Sequence, residues 1–134
     1  MPVEIELPYP PSLNHYYRRV GSKTLISRAG RRYREQVCAI LRGLRVPELA
    51  GRLAMEVDLH PPDRRRRDLD NAQKGLWDAL AHGGLYRDDS QIKEFACRML
   101  GPMPPHGMVL VRVRKLAEPP RGQGRQALEQ ESER

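Results

Sequence analysis

Apolar and polar residues alternate in four stretches of the chain, and a period of two marks a strand with one buried face. Val3-Glu4-Ile5-Glu6-Leu7 is the first, and Leu53 to His60, ended by Pro61-Pro62, is the second. Gln91 to Met99 places Ile92, Glu94, Ala96 and Arg98 on one side. Met108 to Leu116 sets Val109, Val111 and Val113 against Leu110, Arg112 and Arg114. Thr24-Leu25-Ile26 predicts a further short strand. Helical spacing appears twice. Tyr33, Val37, Ile40, Leu41 and Leu44 form an apolar stripe that predicts a helix from Ser27, a good N-cap, to about Arg45. Its other face carries Arg28, Arg31, Arg32, Arg34 and Arg42, either solvated or turned toward an anion. A second helix is predicted from about Asp70 to His82. There Leu69, Ala72, Leu76, Ala79 and Leu80 share the buried face, Asp70, Lys74 and Asp78 share the opposite one, and Gly83-Gly84 stops it. Pro8, Pro10 and Pro11, and later Pro102, Pro104 and Pro105, force irregular connections.

At 134 residues the pattern fits one domain with its own core, residues 1–116. From 117 to 134 the composition turns to Pro, Gly, Gln, Arg and Glu, and a disordered polar tail is expected. No apolar run approaches membrane-spanning length and nothing has the form of a signal peptide, so a cytoplasmic protein without a membrane partner is expected. Cys38 and Cys97 are far apart and the four histidines lack ligand spacing, which argues against a disulfide framework or a zinc site. The net charge is +7, and 20 of the 24 basic residues are arginine, the side chain suited to planar contact with phosphate. A polyanionic partner is therefore expected.

The charge pattern sharpens at Asp63-Arg64-Arg65-Arg66-Arg67-Asp68-Leu69-Asp70-Asn71-Ala72-Gln73-Lys74. Arg64, Arg65, Arg66 and Arg67 run straight into two carboxylates at i and i+2, which face one side if the segment is extended. They would repel there unless a cation sat between them, and hard oxygen donors suit Mg²⁺. Each acid also has a bland explanation. Asp70 can cap the helix with Gln73, Asp70 and Lys74 can pair along it, and Asp88-Asp89 can be turn residues. Together, three carboxylates and a lysine beside four arginines at a strand end favour metal-assisted hydrolysis of a phosphodiester. Upstream, Ser12 to Arg19 interleaves Asn14, Tyr16 and Tyr17 with arginine, a combination suited to nucleic acid, and Asn14 and Tyr17 join the arginines and Lys74 as candidate DNA contacts.

Asp-Arg-Arg-Arg-Arg-Asp-Leu-Asp-Asn-x-x-Lys, followed by Trp-Asp-Ala-Leu, a glycine and Asp-Asp-Ser-Gln-Ile, resembles the RusA family of Holliday junction resolvases. The opening Leu-Pro-Tyr-Pro-Pro-Ser-Leu-Asn-His-Tyr-Tyr-Arg is similar to that family's amino-terminal pattern, so the resemblance covers roughly residues 3 to 116. It implies a small homodimeric α+β domain, a mixed sheet with two main helices, that binds four-way DNA junctions and makes paired symmetric nicks using Mg²⁺, with Mn²⁺ able to substitute. It also implies that Asp68, Asp70 and Asp89 bind metal and that Lys74 is catalytic. Gly83 stands where a small residue such as alanine is usual, and the tail is extra. Two rival readings remain. A non-catalytic basic protein binding branched or single-stranded nucleic acid would share the arginines but have no use for the acids. A Mg²⁺-dependent nucleotide-processing enzyme would want a Gly-rich phosphate loop, and no such loop precedes a helix here.

Overall fold

The computed structural model describes residues 2–119. In chain order the elements are β1 (Val3–Leu7), α1 (Leu13–Tyr16), β2 (Tyr17–Val20), β3 (Lys23–Ile26), α2 (Arg28–Leu44), β4 (Leu53–His60) and α3 (Asp70–His82). A single 3₁₀ turn (Asp89–Gln91), β5 (Ile92–Met99) and β6 (Met108–Lys115) complete them. The four alternating stretches form one mixed sheet in the order β1-β6-β4-β5. The β1–β6 and β6–β4 pairs are antiparallel and β4–β5 is parallel. A parallel pair needs a long crossover, and α3 is that crossover. The mixed sheet and its helices make the α+β domain that the pattern predicts.

One sheet face is the core. Ile5, Leu7, Leu53, Met55, Val57, Leu59, Val109, Val111 and Val113 are all within a few per cent of full burial, with α2 and α3 packed over them. From α2 come Tyr33, Val37 and Leu41, and from α3 Ala72, Gly75, Leu76, Ala79 and Leu80. Leu69, expected on that buried side, is instead 41% exposed, because it precedes the first turn of α3 and lies off its inner stripe. The opposite sheet face is a lattice of ion pairs. Arg98 and Arg112 both bind the buried Asp58, at 3.0 and 3.2 Å, and Arg112 also approaches Glu4 and Glu56, while Arg114 meets Glu94. Burial works against the charge on Asp58, yet the two guanidiniums hold its carboxyl below the usual range.

The segment from Ser12 to Arg19, expected only as a connection, folds as the single turn α1 and then β2. The latter pairs antiparallel with β3 across a turn whose Gly21 has φ of 62°. Ser27 caps α2 as predicted: its hydroxyl accepts from the Gly30 amide at 2.9 Å and donates to the Tyr16 carbonyl at 2.9 Å, so one side chain fixes the start of α2 against the end of α1. The polar tail expected from 117 lies, from residue 120 onward, outside the described residues. Ala117 itself is held by Arg52, which donates to its carbonyl at 2.8 Å.

Tyr16, fully buried, is the joint between α1, α2 and α3. A Cβ at Gly75 would sit 2.7 Å from Tyr16 Cδ2, and the ring is hemmed in by the core. Gly75→Ala improves helix propensity by about 1 kcal/mol, but it must displace that ring, and overpacking costs typically about 1–3 kcal/mol. A lower melting temperature for Gly75→Ala is therefore expected. A higher one would show that Tyr16 does not seat on this glycine.

Candidate active site

Helix α3 begins without a side-chain cap. Its N-cap is Leu69 in αR conformation (φ −57°, ψ −37°), and Asp70 is already the first helical residue. Asp70 therefore does not cap the helix, and Gln73, the other half of the expected capping pair, donates instead to the Leu69 carbonyl at 3.0 Å. The same geometry corrects the expectation that Asp68 and Asp70 face one side. That holds for extended backbone, whereas helical turning at Leu69 sends residues at i and i+2 apart. They accordingly line different clefts, one on each flank of the α3 N-terminus.

The first cleft, about 410 Å³, is walled by Asp70, Lys74, Trp77 and Asp78 from one face of α3, with Tyr17 and Asp89 closing it from outside the helix. The i, i+4, i+7, i+8 spacing puts those four helical residues on one stripe. Asp89 comes from the 3₁₀ turn before β5. Its neighbour Asp88 is the turn residue: Asp88 accepts from the Ser90 amide and hydroxyl, and Gln91 completes a capping box with it. Gln91 also donates to the Leu49 and Gly51 carbonyls, at 3.0 and 2.9 Å, which pins the turn to the loop before β4. Asp89 takes no part in this network, and its carboxylate is left to the cleft.

Asp78 is not available for the same purpose. Arg34 of α2 grips it with two hydrogen bonds of 2.6 and 3.0 Å, and the Tyr16 hydroxyl donates to it as well. Burial pushes its carboxyl up, but the bonds from Arg34 and Tyr16 outweigh that and hold it below the usual range. Arg34, expected on an exposed arginine face, is thus half-buried and structural, while Arg28, Arg31, Arg32 and Arg42 remain exposed. Lys74 has no acidic partner among the described residues. Its ammonium lies 5.3 Å from the centroid of the Tyr17 ring, a cation–π contact that keeps it over the cleft. Trp77 packs edge-on against Phe95 at 4.9 Å, and its indole N–H is buried without a partner among the described residues.

The second cleft, about 810 Å³, contains Asp68 together with Arg65, Arg66 and Arg67. The arginines are not equivalent. Arg67 binds Asp63 at 2.7 Å and lies 6.0 Å over the Tyr9 ring, so it holds the loop together, and it keeps the Asp63 carboxyl down at about 2. Arg65 is exposed and only 3.9 Å from Asp63 at its nearest. Arg64 and Arg66 make no ion pair among the described residues, and Arg64 lines neither cleft. Asn14 is exposed on α1 and likewise lines neither. Trp77 and Gln73 share the stripe of Asp70 and Lys74, so helical spacing alone was enough to place them. Tyr9 and His106, which reach the second cleft from distant loops, leave no such signal.

Among the described residues no group of three His, Cys, Asp or Glu side chains converges to hold a metal ion. The donor set still fits Mg²⁺. That ion keeps several waters and is commonly held by one or two carboxylates plus substrate phosphates, not by a closed protein cage. Asp70 and Asp89 offer two carboxylates in one open cleft, neither of them neutralised by a protein cation. No helix of the described chain is long and apolar enough to cross a membrane.

The family profile described as Endodeoxyribonuclease RusA matches residues 8–114, a span that contains both clefts. The chain belongs to the RusA family. It is 43% identical over 111 residues to the crossover junction endodeoxyribonuclease of Enterobacteria phage HK97, covering 82% of this chain and 92% of that protein. It is 45% identical to the crossover junction endodeoxyribonuclease of Enterobacteria phage 82, and 42% identical to that of Escherichia coli. Each of these matches spans 92 residues, 68% of this chain and 77% of the relative. Within this RusA chain, α3 carries its polar residues on one stripe and the core on the other.

The grip on Asp78 makes the back of the cleft acid-sensitive. A carboxyl held below its usual pKa in the folded state stabilises the protein above about pH 4 and loses that contribution as pH falls through its folded value. Asp78→Asn should cost about 1–3 kcal/mol near neutral pH, because it leaves Arg34 without its partner. The gap between wild type and variant should narrow as the pH drops below 4. Denaturant melts across that range check this, and a pH-independent gap would show that the charge on Asp78 contributes nothing.

Proposed function

We propose that this RusA-family chain is a Mg²⁺-dependent, structure-selective endodeoxyribonuclease that resolves four-way DNA junctions by paired symmetric nicks, acting as a homodimer in recombination and repair. The single observation that carries the reading is the first cleft. Asp70 and Asp89 face it without protein partners, and Lys74 stands one helical turn from Asp70. Two acids turned to an open cleft repel each other and repel phosphate, so their position is costly unless a cation is to be held. The printed names of the relatives, crossover junction endodeoxyribonucleases, supply the substrate class.

Asp70 and Asp89 would hold the ion, with Asp68 the nearest further carboxylate, across the start of α3. Such an ion supplies activation of water and neutralisation of charge developing on phosphate. The remaining work belongs to the chain itself. Lys74 cannot leave the cleft without losing its contact with Tyr17, and no neighbouring acid cancels its charge, so it is placed to stabilise a scissile phosphate as negative charge builds there. Arg64 and Arg66, unpaired in the loop before α3, hold the DNA backbone, and their contribution is affinity. Cutting two strands related by symmetry requires two identical sites, which a dimer of C2 symmetry provides with one interface.

Asp70→Asn should bind a four-way junction at least as tightly as wild type, because a charge facing phosphate is removed, while cleavage falls below detection. Lys74→Ala should still bind but cut on the order of 10²-fold more slowly in single turnover, the usual loss for one preorganised electrostatic group. Gel shifts and single-turnover cleavage on the same preparations check both. Wild-type cutting by Asp70→Asn would remove that residue from the site.

A further inference from the structure

The second cleft is larger than the first, and the chemistry above leaves most of it unused. One wall is the β1–α1 connection, with Tyr9 and His15, and the other is the loop between β4 and α3, with Arg66 and Asp68. Both walls are fixed. The Tyr33 hydroxyl donates to the Pro8 carbonyl at 2.8 Å, and Arg67 clamps the loop through Asp63 and lies over Tyr9. His15 is oriented by a 2.8 Å bond between its Nδ1 and the Ser12 hydroxyl, which leaves Nε2 uncommitted. Inside this frame the side chains of Arg66, Asp68 and Asn71 have no hydrogen-bond or ion-pair partner among the described residues.

The volume lies inside the range of roughly 300–1,000 Å³ usual for small-ligand pockets. The lining also has the three parts that one nucleotide requires. Aromatic and proline surface from Tyr9, Pro11 and His15 suits the face of a base, the Arg66 guanidinium suits phosphate, and the Asn71 amide can pair with a base edge through a donor and an acceptor together. Asn71 directly follows Asp70 on α3, so whatever fills this cleft adjoins whatever is cut in the other. A branch point interrupts continuous stacking, and extruding a base is cheapest where stacking is already broken.

We propose that the second cleft is a base-reading subsite that takes the unstacked nucleotide next to the scissile phosphate, Arg66 holding its phosphate and Asn71 reading its base edge. The assignment rests on the nuclease reading for its place in the reaction, but not for the pocket itself. It gives the protein a sequence preference at the cut, set by Asn71 and separate from its selection of branched DNA.

Two measurements test it. In single turnover, four-way junctions that differ only in the base next to the cut should be cleaved at rates spread by roughly ten-fold, and Asn71→Ala should bring them to within about two-fold of one another. A merely structural role for Asn71 would slow all four alike and keep their ratios. That result overturns the proposal, as does a wild type indifferent to the base. In metal-free wild-type protein, deoxynucleoside 5′-monophosphates should shift the NMR signals of Tyr9, His15 and Asn71, and Arg66→Ala should abolish the shifts. Absence of shifts at these residues overturns the pocket. Shifts without cleavage of any junction would sink the nuclease reading and leave the nucleotide pocket standing.

Discussion

A buried phenol needs a partner for its hydroxyl, and the way this protein satisfies Tyr16 decides which of its charges are free to act. The ring lies against Gly75 of α3, its hydroxyl donates to Asp78, and Arg34 of α2 completes the pair. Three elements are tied at one point by groups that would be costly to leave unpaired. The tie also consumes Asp78, the acid one turn beyond Lys74. Had Asp78 been open, Lys74 would have an i,i+4 partner on its own helix. With Asp78 engaged from behind, the lysine rests over Tyr17 instead and presents its charge to the cleft. The site's electrostatics therefore follow from the packing beneath it.

The same sorting runs through the arginines. Arg34, Arg67, Arg98 and Arg112 are spent on acids within the fold: on Asp78, on Asp63 and, for the last two, on Asp58. Such pairs contribute geometry more than stability when partly exposed. What remains unpaired, Arg64 and Arg66 in the loop ahead of α3, stands beside the unpaired acids Asp68 and Asp70. Excess positive charge is thus placed where a polyanion would meet the carboxylates, while the ion-paired sheet face on the far side cancels its own charge. A basic protein that merely coats nucleic acid has no reason to keep its cations and anions apart in this way.

Strands β1, β4, β5 and β6 and helices α2 and α3 were legible because each buries one face, and burial writes its period into the residues. Strands β2 and β3 bury almost nothing, so Tyr17 to Val20 shows no alternation, and Thr24 to Ile26 was recognised without its partner. The candidate acids were legible from their chemistry, but their directions were not. Whether Asp68 and Asp70 share a side depends on one backbone conformation, that of Leu69, which no residue in the motif dictates. Asp88 and Asp89 are likewise indistinguishable in sequence. A capping box with Gln91 occupies the first and leaves the second free. The second cleft was invisible because its walls come from segments about 50 residues apart in the chain, and the tie between them runs through Tyr9 and Arg67.

The most direct test of the account is a four-way junction labelled on each strand in turn and incubated with the full chain, with and without Mg²⁺, beside a linear duplex of the same arm sequence. The account predicts nicks at two symmetry-related positions flanking the branch, only when the metal is present, and no comparable cutting of the duplex. Tight binding of the junction with no cleavage in Mg²⁺ or Mn²⁺ would contradict it, and would mean that the acids of the first cleft serve no metal and the arginines serve binding alone.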